Sequence, residues 1–84
     1  MNRETDAATA IVLITTEPGM EAEVYHALTA IPEVVDQILL FGEYDVFARI
    51  ECEDFGILGS VVIHRIRGID GVDATKTLTA APML

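Results

Sequence analysis

In Ala8-Thr9-Ala10-Ile11-Val12-Leu13-Ile14-Thr15, apolar side chains fall on both sides of an extended backbone. Successive side chains of a strand point to opposite faces. Ala10, Val12 and Ile14 therefore share one face, and Ile11 and Leu13 share the other. A strand that is apolar on both faces needs cover on both, which places it centrally in a sheet with a layer on each side. The chain has 84 residues, 51% of them hydrophobic, and one cysteine. A domain of this size buries only roughly 60–65% of its unfolded surface, and a lone cysteine cannot staple it. Association is the usual remedy for a small apolar domain, and a second copy is the simplest cover for the strand's outer face.

Glu17-Pro18-Gly19 breaks this strand. Met20, Val24, Leu28 and Ile31 then recur at helical spacing, with Glu21 and Glu23 early, where acids suit the helix dipole. Pro32 restricts the residue before it to extended geometry, which predicts a helix end near Ala30. Val34–Leu40 and Val46–Ile50 are rich in β-branched and long apolar residues and read as two strands of a hairpin. Between them, Phe41-Gly42-Glu43-Tyr44-Asp45 forms the tip, where Gly42 offers a turn that other residues resist. On the second of these strands Val46, Ala48 and Ile50 face one way, and Asp45, Phe47, Arg49 and Glu51 the other. Asp54 is an N-cap candidate for a second helix with Phe55, Leu58, Val62 and Ile66 on its inner stripe. Val61 and Ile63 lie off that stripe and predict a second buried face. Gly68 terminates the helix, Ile69-Asp70-Gly71 turns, Val72 to Ala80 is the last strand, and Pro82 ends its ladder.

The order strand, helix, strand, strand, helix, strand predicts an α+β fold. It is a ferredoxin-like βαββαβ plait, an antiparallel four-stranded sheet with both helices on one face. The other face is then free to form a dimer. Residues 1–84 read as a single domain, with no linker and no repeat beyond the two halves of the plait.

Fourteen acids against five bases give a formal charge of −9. That excludes a phosphate-binding surface and predicts no direct DNA binding. The densest basic pair, Arg65 and Arg67, falls near a helix end and complements its dipole. Met1 to Asp6 are polar and lack the apolar core of a leader, and no apolar run approaches membrane-spanning length. With Cys52 unpaired, the expectation is a soluble cytoplasmic protein without a membrane partner.

Little catalytic chemistry is visible. His26 and His64 belong to no metal-ligand spacing, so neither a metal nor a cofactor is expected. Ser60 and Cys52 lack a nucleophile motif. Gly56 and Gly59 have GxxG spacing inside an acidic helix start without a lysine, which is not a phosphate loop. Arg49, Glu51 and His64 are the only groups on which a plait-fold enzyme could draw. The hairpin tip is richer, because it carries a phenol and two carboxylates on a loop held by strands, where binding groups tend to sit. A solvated turn whose Tyr44 covers a core edge accounts for the same residues. Thr75 and Thr77, at i and i+2, share one face and offer two hydroxyls to a polar ligand or to solvent.

Taken in order, Ile11-Val12-Leu13-Ile14, Glu17-Pro18-Gly19, Ile31-Pro32-Glu33-Val34, Gly42-Glu43-Tyr44-Asp45 and Gly71-Val72 with Thr75 and Thr77 form one pattern. It resembles the ligand-binding (RAM) module of the Lrp/AsnC, or feast/famine, transcription regulators over about residues 8 to 80. Members of that family carry a winged helix-turn-helix ahead of the module. Here about seven residues precede the first strand, so the resemblance implies a stand-alone module. It implies a non-enzymatic role: binding an amino acid or related small molecule and oligomerising, in regulation of amino-acid metabolism or transcription. Sheet-to-sheet homodimers would assemble into a higher ring, an octamer where four dimers join, or combine with full-length Lrp/AsnC regulators. The ligand would lie between dimers, and the matching positions are Gly42, Tyr44, Asp45, Thr75 and Thr77. Phe41 stands where many members have a small polar residue. Asp45 can accept from an ammonium, backbone N–H groups around Gly42 can donate to a carboxylate, and the threonines complete the polar shell. Two other readings stand beside this one. The first is a small dimeric plait enzyme of monooxygenase or isomerase type, since a fold does not fix a function. The second is a ligand-free structural oligomer.

Overall fold

A computed structural model describes residues 7–81. Strand β1 (Ala8–Thr16) is followed by helix α1 (Glu21–Leu28), β2 (Val34–Leu39), β3 (Val46–Cys52), helix α2 and β4 (Val72–Thr79). Helix α2 begins as an α-helix over Phe55–Ser60 and continues as a π-helix over Val61–Ile66. The sheet order is β2-β3-β1-β4, with every pairing antiparallel, which is the expected plait. The expected stop at Pro82 lies outside the described residues.

The two-faced strand is central, as its sequence requires. Ala8, Ala10, Val12 and Ile14 of β1 are buried together with Val46, Ala48 and Ile50 of β3 against Val24 and Leu28 of α1 and Leu58, Val62 and Ile66 of α2. Helix α1 follows the expected stripe, with Ile31 buried just beyond its end and Met20 packed at its start. The Asp54 carboxylate accepts the Ile57 N–H at 2.8 Å and caps α2.

Helix α2 departs from the expected stripe in two places. Val61 is buried as expected of a second face, but Ile63 is 56% exposed. The cause is the π turn, which takes one more residue than an α turn. Its closing bond runs from the Arg67 N–H to the Val62 carbonyl at 2.9 Å. The wider winding brings Val61 and Val62 side by side onto the core and leaves Ile63 outside. Phe55, expected inside, is also largely exposed. Its ring lies beside β4, the edge strand, and no further strand covers it there.

Paired residues of neighbouring strands share a face. Val46, Ile14 and Thr75 form one such row, and Ala48, Val12 and Thr77 the next, both on the helix-bearing face. The opposite face carries Ile38, Phe47, Leu13 and Lys76 in one row and Asp36, Arg49, Ile11 and Leu78 in another. Ile38 and Leu78 are about half exposed on that uncovered face.

Candidate functional site

The hairpin tip is fastened to the end of β1. The Asp45 N–H donates to the Ile14 carbonyl at 2.8 Å, and the Leu40 N–H donates to the Asp45 carbonyl at 2.9 Å. Asp45 Oδ2 accepts the Thr16 N–H at 2.8 Å and also faces the Thr16 hydroxyl at 3.4 Å. One oxygen of this carboxylate therefore serves the turn. Tyr44 is half-buried, and Phe41 is fully exposed. Gly42 does not use the left-handed backbone region, and a Cβ there would meet open space. Its turn is one that other residues can adopt, contrary to the expectation from sequence.

Thr75 and Thr77 sit on the helix-bearing face of the edge strand rather than on the open face. With Thr79, they form one wall of a groove of about 460 Å³. Phe55, Leu58, Gly59, Val62, Ile63 and Arg67 of α2 form the other wall. A second, polar cavity of about 350 Å³ is lined by Arg67, Val72, Asp73, Ala74 and Thr75. Arg67 and Thr75 border both, so the two spaces adjoin. Neither includes Gly42, Tyr44 or Asp45. Val46, which follows the tip, and Thr75 stand two strands apart in one row, about 10 Å at the usual strand spacing. Within one copy, the tip and the threonines thus lie at the same end of the sheet without closing one cavity around all five positions.

Two backbone irregularities set the polar cavity. Arg67 closes the π turn of α2, and Asp73 is the extra residue of a β-bulge. Thr15 pairs with Ala74 and Thr16 with Val72, so Asp73 has no partner on β1. The sequence gives no signal for the bulge, and nothing in its residue type or spacing singles out Asp73. Arg67 reads from sequence only as a complement to the helix dipole.

At the far end of β3, Cys52 is buried beside Glu33, Glu51 and Glu53 in a cleft of about 510 Å³. Burial pushes its thiol pKa up, and the charges of Glu33 and Asp54 add to the shift. The thiol is therefore held protonated, the opposite of an activated nucleophile. Glu33 Oε1 is buried without a hydrogen-bond partner. Among the described residues no group of His, Cys, Asp and Glu could hold a metal ion. Arg49 and Glu51 pair at 2.6 Å on the open sheet face, while His64 is exposed on α2 in the helix layer. The sheet separates His64 from that pair, so the three groups on which an enzyme could draw are not brought together. No helix among the described residues is long and apolar enough to cross a membrane.

A family model described as the Lrp/AsnC ligand binding domain matches residues 9–81. The chain belongs to that family. An uncharacterised helix-turn-helix-type transcriptional regulator of Pyrococcus furiosus is 31% identical over 75 residues, covering 86% of this chain and 50% of the relative. The chain thus spans about half the length of the curated relatives it matches. Shorter solved structures match nearly end to end. FFRP-DM1 has a TM-score of 0.84 at 32% identity, covering 88% of this chain and 99% of that one. TTHA0845 of Thermus thermophilus has a TM-score of 0.85 at 30% identity, covering 92% and 96%. The two curated relatives are helix-turn-helix-type transcriptional regulators, and the model that matches this chain is that of the Lrp/AsnC ligand binding domain.

Proposed function

We propose that this chain is an effector-binding and assembly module that takes an amino acid, or a related small molecule, at contacts between copies. It acts through assembly with itself or with full-length Lrp/AsnC regulators, as a single cytoplasmic domain, without catalysis and without direct DNA contact. The observation that carries this reading is the match of residues 9–81 to a family ligand-binding domain. The uncovered sheet face, with Ile11, Leu13, Ile38, Phe47 and Leu78, supports homodimerisation through that face. The formal charge of −9 supports the absence of DNA binding.

The ligand-contacting positions in this reading are Gly42, Tyr44, Asp45, Thr75 and Thr77. Because the tip and the threonines do not share a cavity within one copy, the tip of one copy and the threonines of another complete the site between dimers. Asp45 keeps Oδ1 for an ammonium while Oδ2 holds the Thr16 amide. Tyr44 supplies a rigid wall and a phenolic hydrogen bond.

The test is a thermal-shift panel of the twenty amino acids, with light scattering after gel filtration in parallel. A true effector raises the melting temperature by binding the folded state alone, a stabilisation that grows with the logarithm of ligand concentration and reaches about 2.7 kcal/mol at a hundred times Kd. A ligand-free oligomer shows no shift with any of the twenty, and that result overturns the reading.

A further inference from the structure

We propose that Phe41, at the hairpin tip of one copy, seats in the apolar groove between α2 and β4 of a second copy, with Glu43 of the tip paired to Arg67 beside the groove. This rests on the assembly part of the reading above, that the tip of one copy meets the threonine side of another. It names the side chains that hold that contact together without a bound effector.

Two groups of exposed large apolar side chains lie away from the open sheet face. Leu39, Leu40 and Phe41 gather at the hairpin tip, with Phe41 fully exposed, and Phe55 and Ile63 line the groove. The first group projects and the second is concave. A phenyl ring that its own fold leaves in water gains by entering an apolar slot, and Phe55 offers it an aromatic partner there.

The tip does not fill its own groove. It joins β2 to β3, the groove runs beside β4, and β1 stands between β3 and β4 in the sheet. Tip and groove are therefore different surfaces of one molecule, and a contact between them is heterologous. A copy that receives a tip still has its own tip to offer, so the contact closes into a ring or runs on as a filament. The open sheet face remains available for a separate, self-complementary contact.

Charge points to the same partner. Glu43 is exposed two residues after Phe41. Among the residues that line the groove, Arg67 is the only charged one. Among the described residues, neither forms an ion pair within its own chain. A chain with a formal charge of −9 repels its own copies. A groove whose one charge is a cation is where an acidic tip approaches at least cost.

The experiment is sedimentation velocity of the whole chain at micromolar concentrations without added amino acid. The wild type should form species larger than a dimer. Phe41→Ser should weaken the tip-to-groove contact roughly 10- to 150-fold, and Ile63→Asp should also leave nothing larger than the open-face dimer. Gly59→Leu fills the groove from a position where a Cβ meets open space, and replaces Ile63→Asp if that variant fails to fold by circular dichroism. Mixing Phe41→Ser with the groove variant should regain larger species, because each supplies the surface that the other lacks. Glu43→Arg makes the chain less acidic, so general repulsion predicts tighter assembly and pairing with Arg67 predicts weaker assembly. It should weaken the contact about two- to fivefold, as should Arg67→Glu, and the double variant should recover the wild-type profile. A wild type no larger than a dimer, Phe41→Ser that assembles like the wild type, or a mixture that stays dimeric overturns the inference. Tighter assembly of Glu43→Arg overturns the pairing with Arg67. The amino-acid thermal-shift panel judges the effector reading separately, since a shift in the wild type leaves that reading standing whichever way assembly depends on Phe41.

Discussion

Asp45 Oδ2 accepts the Thr16 backbone N–H at 2.8 Å, so a side chain of the hairpin tip fastens the last residue of the central strand. This carboxylate has a structural duty whatever else it binds. Removing it in Asp45→Ala leaves that amide without its partner and should cost about 1–2 kcal/mol, near the lower end for hydrogen bonds to charged groups because the pair is only partly buried. Asp45→Asn keeps an oxygen for the amide and should cost less than half of that. If Asp45 also holds a ligand ammonium, Asp45→Asn should weaken that ligand roughly 10- to 150-fold. Urea denaturation and calorimetric titration of both variants separate the two duties. Unchanged affinity in folded, assembled Asp45→Asn removes Asp45 from the site.

Gly71 has φ +98° and joins the turn after α2 to β4, with its carbonyl accepting the Glu17 N–H at 2.8 Å. A Cβ at this position would stand 2.8 Å from Met20 Cβ. Gly71→Ala combines a left-handed backbone strain with a contact that Met20 must relieve, and should destabilise the fold by about 1–3 kcal/mol. Gly42→Ala is the matched control, since its Cβ meets open space, and its stability should change by less than about 0.5 kcal/mol. Chemical denaturation of the pair checks both values. A fall in ligand affinity of Gly42→Ala at unchanged stability marks Gly42 as a ligand contact.

The regular parts of this fold were legible in the sequence for identifiable reasons. The two-faced run in β1 fixed a central strand, and the Val46, Ala48, Ile50 alternation fixed the inner face of β3. The Asp54 cap and the Met20, Val24, Leu28, Ile31 stripe marked the helices. What escaped were deviations from period. Stripe arguments assume 3.6 residues per turn, so the π winding that leaves Ile63 outside has no sequence signature. Likewise Asp73 acquires its position from a bulge, which a period-2 reading cannot register. The facing of Thr75 and Thr77 was open until pairing with Ile14 and Val12 put them on the helix side. Stripe position places Phe55 in the core because it says nothing about whether a strand lies above it.

Cys52 gives a pH-dependent prediction. Its thiol pKa is raised in the folded state, by burial first and by the charges of Glu33 and Asp54 after it. Below about pH 8 the thiol is protonated whether folded or unfolded, and its contribution to stability is constant. As pH rises past the unfolded value of about 8.5, the unfolded chain loses the proton first, the folded state binds more protons, and stability falls with pH. The thiolate is the reactive species, so at about pH 8 Cys52 should react with a disulfide reagent more slowly than free glutathione. Urea should restore the free rate. A rate equal to glutathione in the folded protein contradicts both the burial and the sign of the shift.

Phe47 and Leu13 stand side by side at the centre of the uncovered sheet face, flanked by Ile38. If a second copy covers this face, a charge placed there must be buried without a partner on association. Phe47→Arg should then weaken the dimer by about 3–5 kcal/mol, roughly two to four orders of magnitude in Kd. Glu23→Arg, which places the same side chain on the exposed side of α1, is the control and should leave assembly unchanged. Light scattering after gel filtration reads the outcome at micromolar concentration. The wild type and Glu23→Arg should elute as dimers or larger species, and Phe47→Arg as a monomer or an unfolded chain. The second possibility arises because a domain of this size has little stability to spare once its partner is gone. A wild-type protein that runs as a stable, folded monomer, or a Phe47→Arg variant that assembles like the wild type, shows that the open face is not the dimer interface.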